Sequence, residues 1–303
     1  LDFSGGAGSS ALVVNGGETV LGTGTVVLGT ANFDFNSVAT LTLPSDFTVA
    51  TGSIEMLGNV TVQGAGLLTV GAAATMNVTG DTFNNAGIIN QGAIDARGLT
   101  DFNGTFGNLT GAVLTVGGLN DDADVTFATG FVNDGTINLS GGGGGSPDTD
   151  MFITSGILTN NGLIASLPNQ GVKTLTVSSV DNTASGTITV NSAFELNGSL
   201  TGNGNIDLLS GTMTVSGAAT IGTGGTLDFT QGTLTIVGLT TMDGTLTTFG
   251  SGTKILDGVD MDLGGTFDFA SGSSNLSLSN GAVIDVQSGG MFMMNGGTLD
   301  QGS

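Results

Sequence analysis

Cysteine, histidine, tryptophan and tyrosine are all missing from this chain of 303 residues. Without cysteine there is neither a disulfide framework nor a thiolate metal site. Without histidine no nucleophile can be activated by an imidazole base. Proline occurs only 3 times against 56 glycines, which excludes a proline-rich linker and the Gly-X-Y period of collagen. Positive charge is almost absent: Arg97, Lys173 and Lys254 are the 3 cations, set against a formal net charge of −22. Three cations cannot make a phosphate-binding track, so nucleic acid is excluded as a partner, and an anionic membrane surface is disfavoured. No apolar run approaches the ~18 residues of a membrane-spanning helix.

What remains is rich in Leu, Val, Ile and Phe, diluted by Thr, Ser, Asn and Gly, with 38% of residues hydrophobic. That fraction is too high for a disordered Gly/Ser tract. The mixture suits short strands joined by tight turns and penalises helices.

The chain is also repetitive. Gly-Thr-apolar units open at Gly211, Gly225, Gly232, Gly244, Gly252 and Gly265, as two interleaved series that advance by 19 to 21 residues. Apolar positions keep the same step: Leu209, Phe229, Phe249 and Phe269; Met213, Leu234, Ile255 and Leu276; Ile221, Met242, Leu263 and Ile284. Each set reads as a ladder of side chains stacked from coil to coil. Lys254 falls where an apolar residue is expected. In the middle of the chain Gly87, Gly111, Gly135, Gly162 and Gly186 are separated by 24, 24, 27 and 24 residues. The longer step spans an inserted loop at 141–150.

Within each coil, apolar and polar residues alternate with period two, as in Leu227-Asp228-Phe229, which indicates strands with one buried face. The Asn-x-Gly and Asp-Gly pairs between strands supply corners of positive φ. The expectation is an all-β fold, a right-handed parallel β-helix (β-solenoid) with coils of about 20–24 residues. It forms a single domain over 1–303, with irregular coils in 1–80, 24-residue coils in 81–190 and 20–21-residue coils in 191–303. About 15 coils at the strand spacing give a rod on the order of 70 Å.

The Asn-x-Gly-apolar-apolar units within 83–89, 131–137 and 157–164 resemble the repeats of filamentous-haemagglutinin-type exoproteins and autotransporter passengers. The Gly-Thr-Leu units nearer the C-terminus resemble autotransporter-associated β-strand repeats. The resemblance implies a secreted or cell-surface, extracellular adhesin or fibre. A non-enzymatic structural rod is therefore the leading expectation. A calcium-dependent glycan- or receptor-binding module, its partner a host or matrix glycan, is the alternative from another class.

Candidate sites are few. Asp257, Asp260 and Asp262, or Asp228 with Asp268, are carboxylates that a polysaccharide-degrading enzyme would need in facing pairs, but solvated strand-face aspartates explain them better. No catalytic residue is expected. For metal, Asp121, Asp122, Asp124, Asp148 and Asp150 form two acidic loops, and Asp124 and Asp148 are 24 residues apart. Carboxylates on adjacent coils repel, and Ca²⁺ is the oxygen-seeking cation that relieves this; it is the one cofactor that the residues suggest. Arg97, 24 residues before Asp121, would offset part of that charge from the neighbouring coil. Met291, Phe292, Met293 and Met294 break the alternation and read either as a locally wider core or as a subunit contact. Leu1 and Phe3 open the sequence with an echo of Leu227-Asp228-Phe229, as expected of a mature product or a fragment cut from the repeat. Coil ends without caps are expected to associate, either head to tail into a filament or with neighbouring repeats of a longer chain.

Overall fold

A computed structural model describes residues 11–117, 122–141, 148–169, 171–248, 252–269, 275–295 and 298–301. Among these residues there is no helix, and 33 strands run parallel to their neighbours in a β-solenoid of about 13 turns. Each turn contributes three paired segments. The segment on each of three faces pairs with its counterpart in the turns before and after, and some strands, such as Gly24–Thr42 and Lys173–Asn182, run on from one face to the next.

The first face shows the scheme. Residues 11–15 pair with 32–36, these with 53–57, then 75–79 and 93–97. The face continues through 113–116, 136–139, 163–166, 187–190 and 205–208. It ends on 226–229, 245–248, 266–269 and 291–294. The coils before residue 80, whose repeat is blurred in the sequence, stack on the same three faces as the rest. The step from coil to coil varies between 18 residues (Asn90 to Asn108) and 27 (Asn133 to Asn160). Some coils are thus longer than the 19 to 21 residues read from the Gly-Thr series, and about 13 turns replace the expected 15. At the strand spacing these make a rod of roughly 60 Å.

Period-two alternation does what it should: burial alternates along strand after strand, as in residues 226–229 and 266–269. The inward side chains stack into dry rows. Phe83, Phe102 and Phe127 lie on consecutive rungs with ring centroids 4.9 Å apart at each step, and Phe106 and Phe131 pack against them. Burying one such side chain stabilises the fold by about 1.5–3 kcal/mol.

The rows are not always those that the spacing suggests. Phe229 stands between Leu208 and Thr248, and Thr248 leads on to Phe269. Leu209 is exposed, and Phe249 lies outside the described residues. Met213 and Leu234 are followed by Leu256 and Leu278, while Ile255 faces outward. Ile221, Met242 and Leu263 do form one row, but Val286 continues it, and Ile284 sits over Met261. In each case a corner gains or loses a residue and moves the next strand out of step with the sequence repeat. Lys254, inserted by such a shift, points into the interior above Gly232 and below Leu276.

One interior row is polar. Asn90, Asn108, Asn133, Asn160 and Asn182 are buried on successive coils. The side-chain amides of the first four each donate to the Oδ1 of the next, at 2.8, 2.7, 2.7 and 2.8 Å. All five also donate to a backbone carbonyl of the following strand, among them Thr136 O and Leu163 O. A buried amide is costly unless its donors and acceptor are met, and stacking like on like meets them. This row corrects the expectation that the glycine of each Asn-x-Gly supplies a positive-φ corner. Gly135 and Gly162 are not in that region; a Cβ on either would meet a carbonyl oxygen of the preceding coil at 2.4 or 2.0 Å. Glycine is needed there because the coils approach too closely for a side chain. The Asp257-Gly258 corner does match the expectation, with Gly258 at φ 64°.

Candidate functional site

The outer faces carry rows of side chains at strand spacing, and the charged residues lie mostly in them. On the first face one row runs Asp207, Asp228, Thr247, Asp268, Met293. Asp228 and Asp268 are therefore on one face but two rungs apart, with Thr247 between them. Asp207 is the direct neighbour of Asp228, a pairing that the Gly-Thr repeat does not reveal. Partial burial raises the carboxyl pKa of both, and the charge of Asp207 adds to the rise at Asp228. Further back in this row Asp34 neighbours Glu55, and burial followed by the Glu55 charge raises Asp34.

Asp257, Asp260 and Asp262 do not converge. Asp257 Oδ1 accepts from the Ser279 hydroxyl at 2.8 Å and from the Asn280 amide. Asp262 accepts from Gln287 at 2.8 Å and neighbours Asp285 on the next rung, while Asp260 is exposed at the start of its strand.

The acidic loops sit one above the other, in a different register from the expected one. Asp124 pairs with Asp150, not with Asp148. Burial raises the Asp124 pKa first, and the charges of Asp150 and Asp122 add to it. Asp122 and Asp148 serve the backbone: Asp122 Oδ1 accepts from Asp148 N at 3.0 Å, and Asp148 Oδ1 accepts from Val172 N at 2.9 Å. Asp46 does the same for Leu67 N. Asp121 lies outside the described residues. Among the described residues no group of three or more Asp or Glu side chains is placed to hold a metal ion. Arg97 bonds Asp95, two residues away on its own strand, and among the described residues it makes no ion pair with the acidic loops.

Three buried ionisable groups went unread or half-read in the sequence. Asp81 is fully buried at a corner and accepts from Val60 N and Thr79 N, both at 2.8 Å. Burial pushes its pKa up to about 6, against the lowering effect of those two amides. Lys173 and Lys254 are buried too, and burial lowers both amines. Each ammonium group donates to the carbonyl two residues before it, Gly171 O at 2.8 Å and Gly252 O at 2.7 Å. Lys173 also reaches Asn169 O at 2.5 Å.

The strand Met291–Met294 keeps the alternation. Met291 and Met293 follow Thr266 and Asp268 on the outer face. Phe292 and Met294 follow Phe267 and Phe269 on inner rows, with Phe292 edge-on to Phe267 at 4.8 Å. No described strand lies beyond this one on its face, so Met294 is 48% exposed although it points inward. Leu1 and Phe3 lie outside the described residues. The side wall also holds an open groove of about 450 Å³, lined by Gly130, Phe131, Val132, Gly156 and Ile157.

Comparison of the chain with protein-family models, with curated proteins and with solved structures finds no match.

Proposed function

We propose that this chain is a non-enzymatic structural rod of a secreted or cell-surface fibre or adhesin stalk, lengthened by further parallel coils stacked on its end. The supporting observation is the unbroken three-faced pairing of about 13 turns. Strands lie across the rod, so their hydrogen bonds and side-chain rows run along it and resist extension. The last described coil presents Phe292, Met294 and Leu299 beside open strand edges, which is what a further coil needs for pairing and burial. That coil comes from another copy, head to tail, or from neighbouring repeats of a longer chain. The resemblance of the Asn-x-Gly and Gly-Thr-Leu units to exported repeat proteins supports the extracellular setting.

Electron microscopy of the purified chain tests the reading. Long unbranched fibres support head-to-tail addition, and discrete rods of roughly 60 Å support a stalk segment. Globular or irregular particles would remove both. Turnover of a polysaccharide that is lost on replacing Asp207, Asp228 or Asp257 would overturn the non-enzymatic part.

A second reading is favoured by the Asp124–Asp150 neighbours, whose mutual repulsion a divalent cation would relieve. In it, Ca²⁺ at this edge helps to recognise a glycan. Millimolar Ca²⁺ then raises the melting temperature, and Asp150→Asn abolishes the rise; no shift ends the idea.

A further inference from the structure

Asn-x-Ser/Thr triplets, the acceptor pattern for an N-linked glycan, begin at Asn59, Asn77, Asn103, Asn108, Asn138, Asn197 and Asn275. The fold sorts them. Asn108 is buried in the interior asparagine row. Asn77 and Asn138 stand within strands that are paired on both sides, and such extended backbone holds the amide and the hydroxyl two residues on about 6.5 Å apart. Asn103 and Asn197 differ. Both are exposed, and both belong to one five-residue pattern of acid, buried apolar residue, Asn, Gly and hydroxyl: Asp101-Phe102-Asn103-Gly104-Thr105 and Glu195-Leu196-Asn197-Gly198-Ser199. No other triplet has a carboxylate two residues before its Asn. The two segments share a wall of the rod. Asp101 and Asn197 belong to one outer row through Thr126, Phe152 and Thr176. In both segments the ladder gives way at the glycine. One strand ends at Phe102 and the next begins at Thr105. Asn197 pairs with Thr176 and Ser199 with Ser179, but the register slips between them, and Gly198 N donates to the Ser216 hydroxyl at 3.0 Å. There the triplet can bend and bring hydroxyl to amide. The Asn103 amide donates to Asn84 Oδ1 at 2.9 Å and the Asn197 amide to the Thr176 hydroxyl at 3.5 Å, both exposed bonds that water can replace.

We propose that Asn103 and Asn197 are N-glycosylation acceptors, with an oligosaccharide carried on a lipid diphosphate as the donor. The amide nitrogen attacks the anomeric carbon of the sugar. The N–C bond forms as the C–O bond to the diphosphate breaks, the diphosphate leaves with the electron pair, and the amide proton passes to a base of the transferase. Asp101 and Glu195 stand two residues ahead of the acceptors, on the same side of the strand. Each offers a carboxylate to a cationic group of the transferase beside the reacting amide. Glycans at these positions project from the side wall and leave the strand pairing intact. The presence of such a donor rests on the secreted or cell-surface reading above; the geometry of the acceptors does not.

Incubating the purified, folded chain with an oligosaccharyltransferase and a lipid diphosphate-linked oligosaccharide, then mapping glycopeptides by mass spectrometry, tests the sites. Transfer is expected at Asn103 and Asn197 and not at Asn108, and Asn103→Gln or Asn197→Gln should each remove one glycan. Asp101→Asn should slow transfer to Asn103 about tenfold, the worth of one charge-assisted hydrogen bond, and leave transfer to Asn197 unchanged. Both sites bare under conditions that modify a control acceptor peptide would overturn the proposal, as would equal transfer to every triplet. The chain recovered from outside its own cells should carry the same two glycans, and bare Asn103 and Asn197 there would overturn their natural use. If the chain stays inside the cell, the secreted reading fails instead, and the transfer reaction still decides the sites.

Discussion

Asn133 accepts from Asn108 and donates both to Asn160 Oδ1 and to Leu163 O, all inside the rod. Replacing it with Ala strands those groups without water, and the expected loss is about 3 kcal/mol, seen as an earlier denaturant midpoint. Asn138→Ala, on an outer row of the next strand, should stay within about 0.5 kcal/mol of the parent. Lys254 gives the opposite lesson. Its buried ammonium is satisfied by carbonyls yet desolvated, so Lys254→Met should melt within about 1 kcal/mol of the parent or above it, whereas Lys254→Ala should cost about 3 kcal/mol through the cavity. The apolar interior was legible from period two, because Leu, Val, Ile and Phe declare themselves. The asparagines did not. Within one coil an Asn looks like a turn residue; only its stacking on four others makes burial affordable, and that partner is 18 to 27 residues away.

At the scale of strands and corners, side chains substitute for backbone pairing where the ladder is interrupted. Asp81 binds amides of two coils, Val60 N and Thr79 N, and its carboxyl keeps a proton up to about pH 6 where the unfolded chain releases it near 3.8. The folded state thus binds more protons in that window, so stability falls as pH rises from about 4 to about 6 and levels off above. Asp34, Asp124, Asp207 and Asp228 are raised as well and act in the same sense. The thermal midpoint should therefore be higher near about pH 4.5 than near about pH 7.5, and Asp81→Asn should flatten part of the slope. Corners are also where the sequence misled. Equal spacing put Phe249 beneath Phe269, but Thr248 holds that rung, because corner length and not residue type sets where the next strand begins. The same drift pairs Asp124 with Asp150 and leaves Asp148 to cap Val172 N.

For the whole molecule, the repeat alone was enough to indicate a parallel solenoid: no other architecture places three short strands in about 20 residues and reuses them turn after turn. Its outer surface was harder to read, since Thr, Asn and Asp alternate there under little packing constraint and any of them satisfies a solvated rung. The rod is defined by which residues are direct neighbours between turns. The chain has no cysteine, so engineered pairs report this cleanly. Asp228 and Thr247 face outward on adjacent rungs, while Thr245 is two residues out of register with Asp228. Under mild oxidation Asp228→Cys with Thr247→Cys should close a disulfide within the monomer, because parallel partners bring Cα atoms within the ~4.4–6.8 Å that the bond allows. Asp228→Cys with Thr245→Cys should stay reduced. A bridge that forms only in the second pair, or equally in both, would contradict the stacked register on which the rod is built.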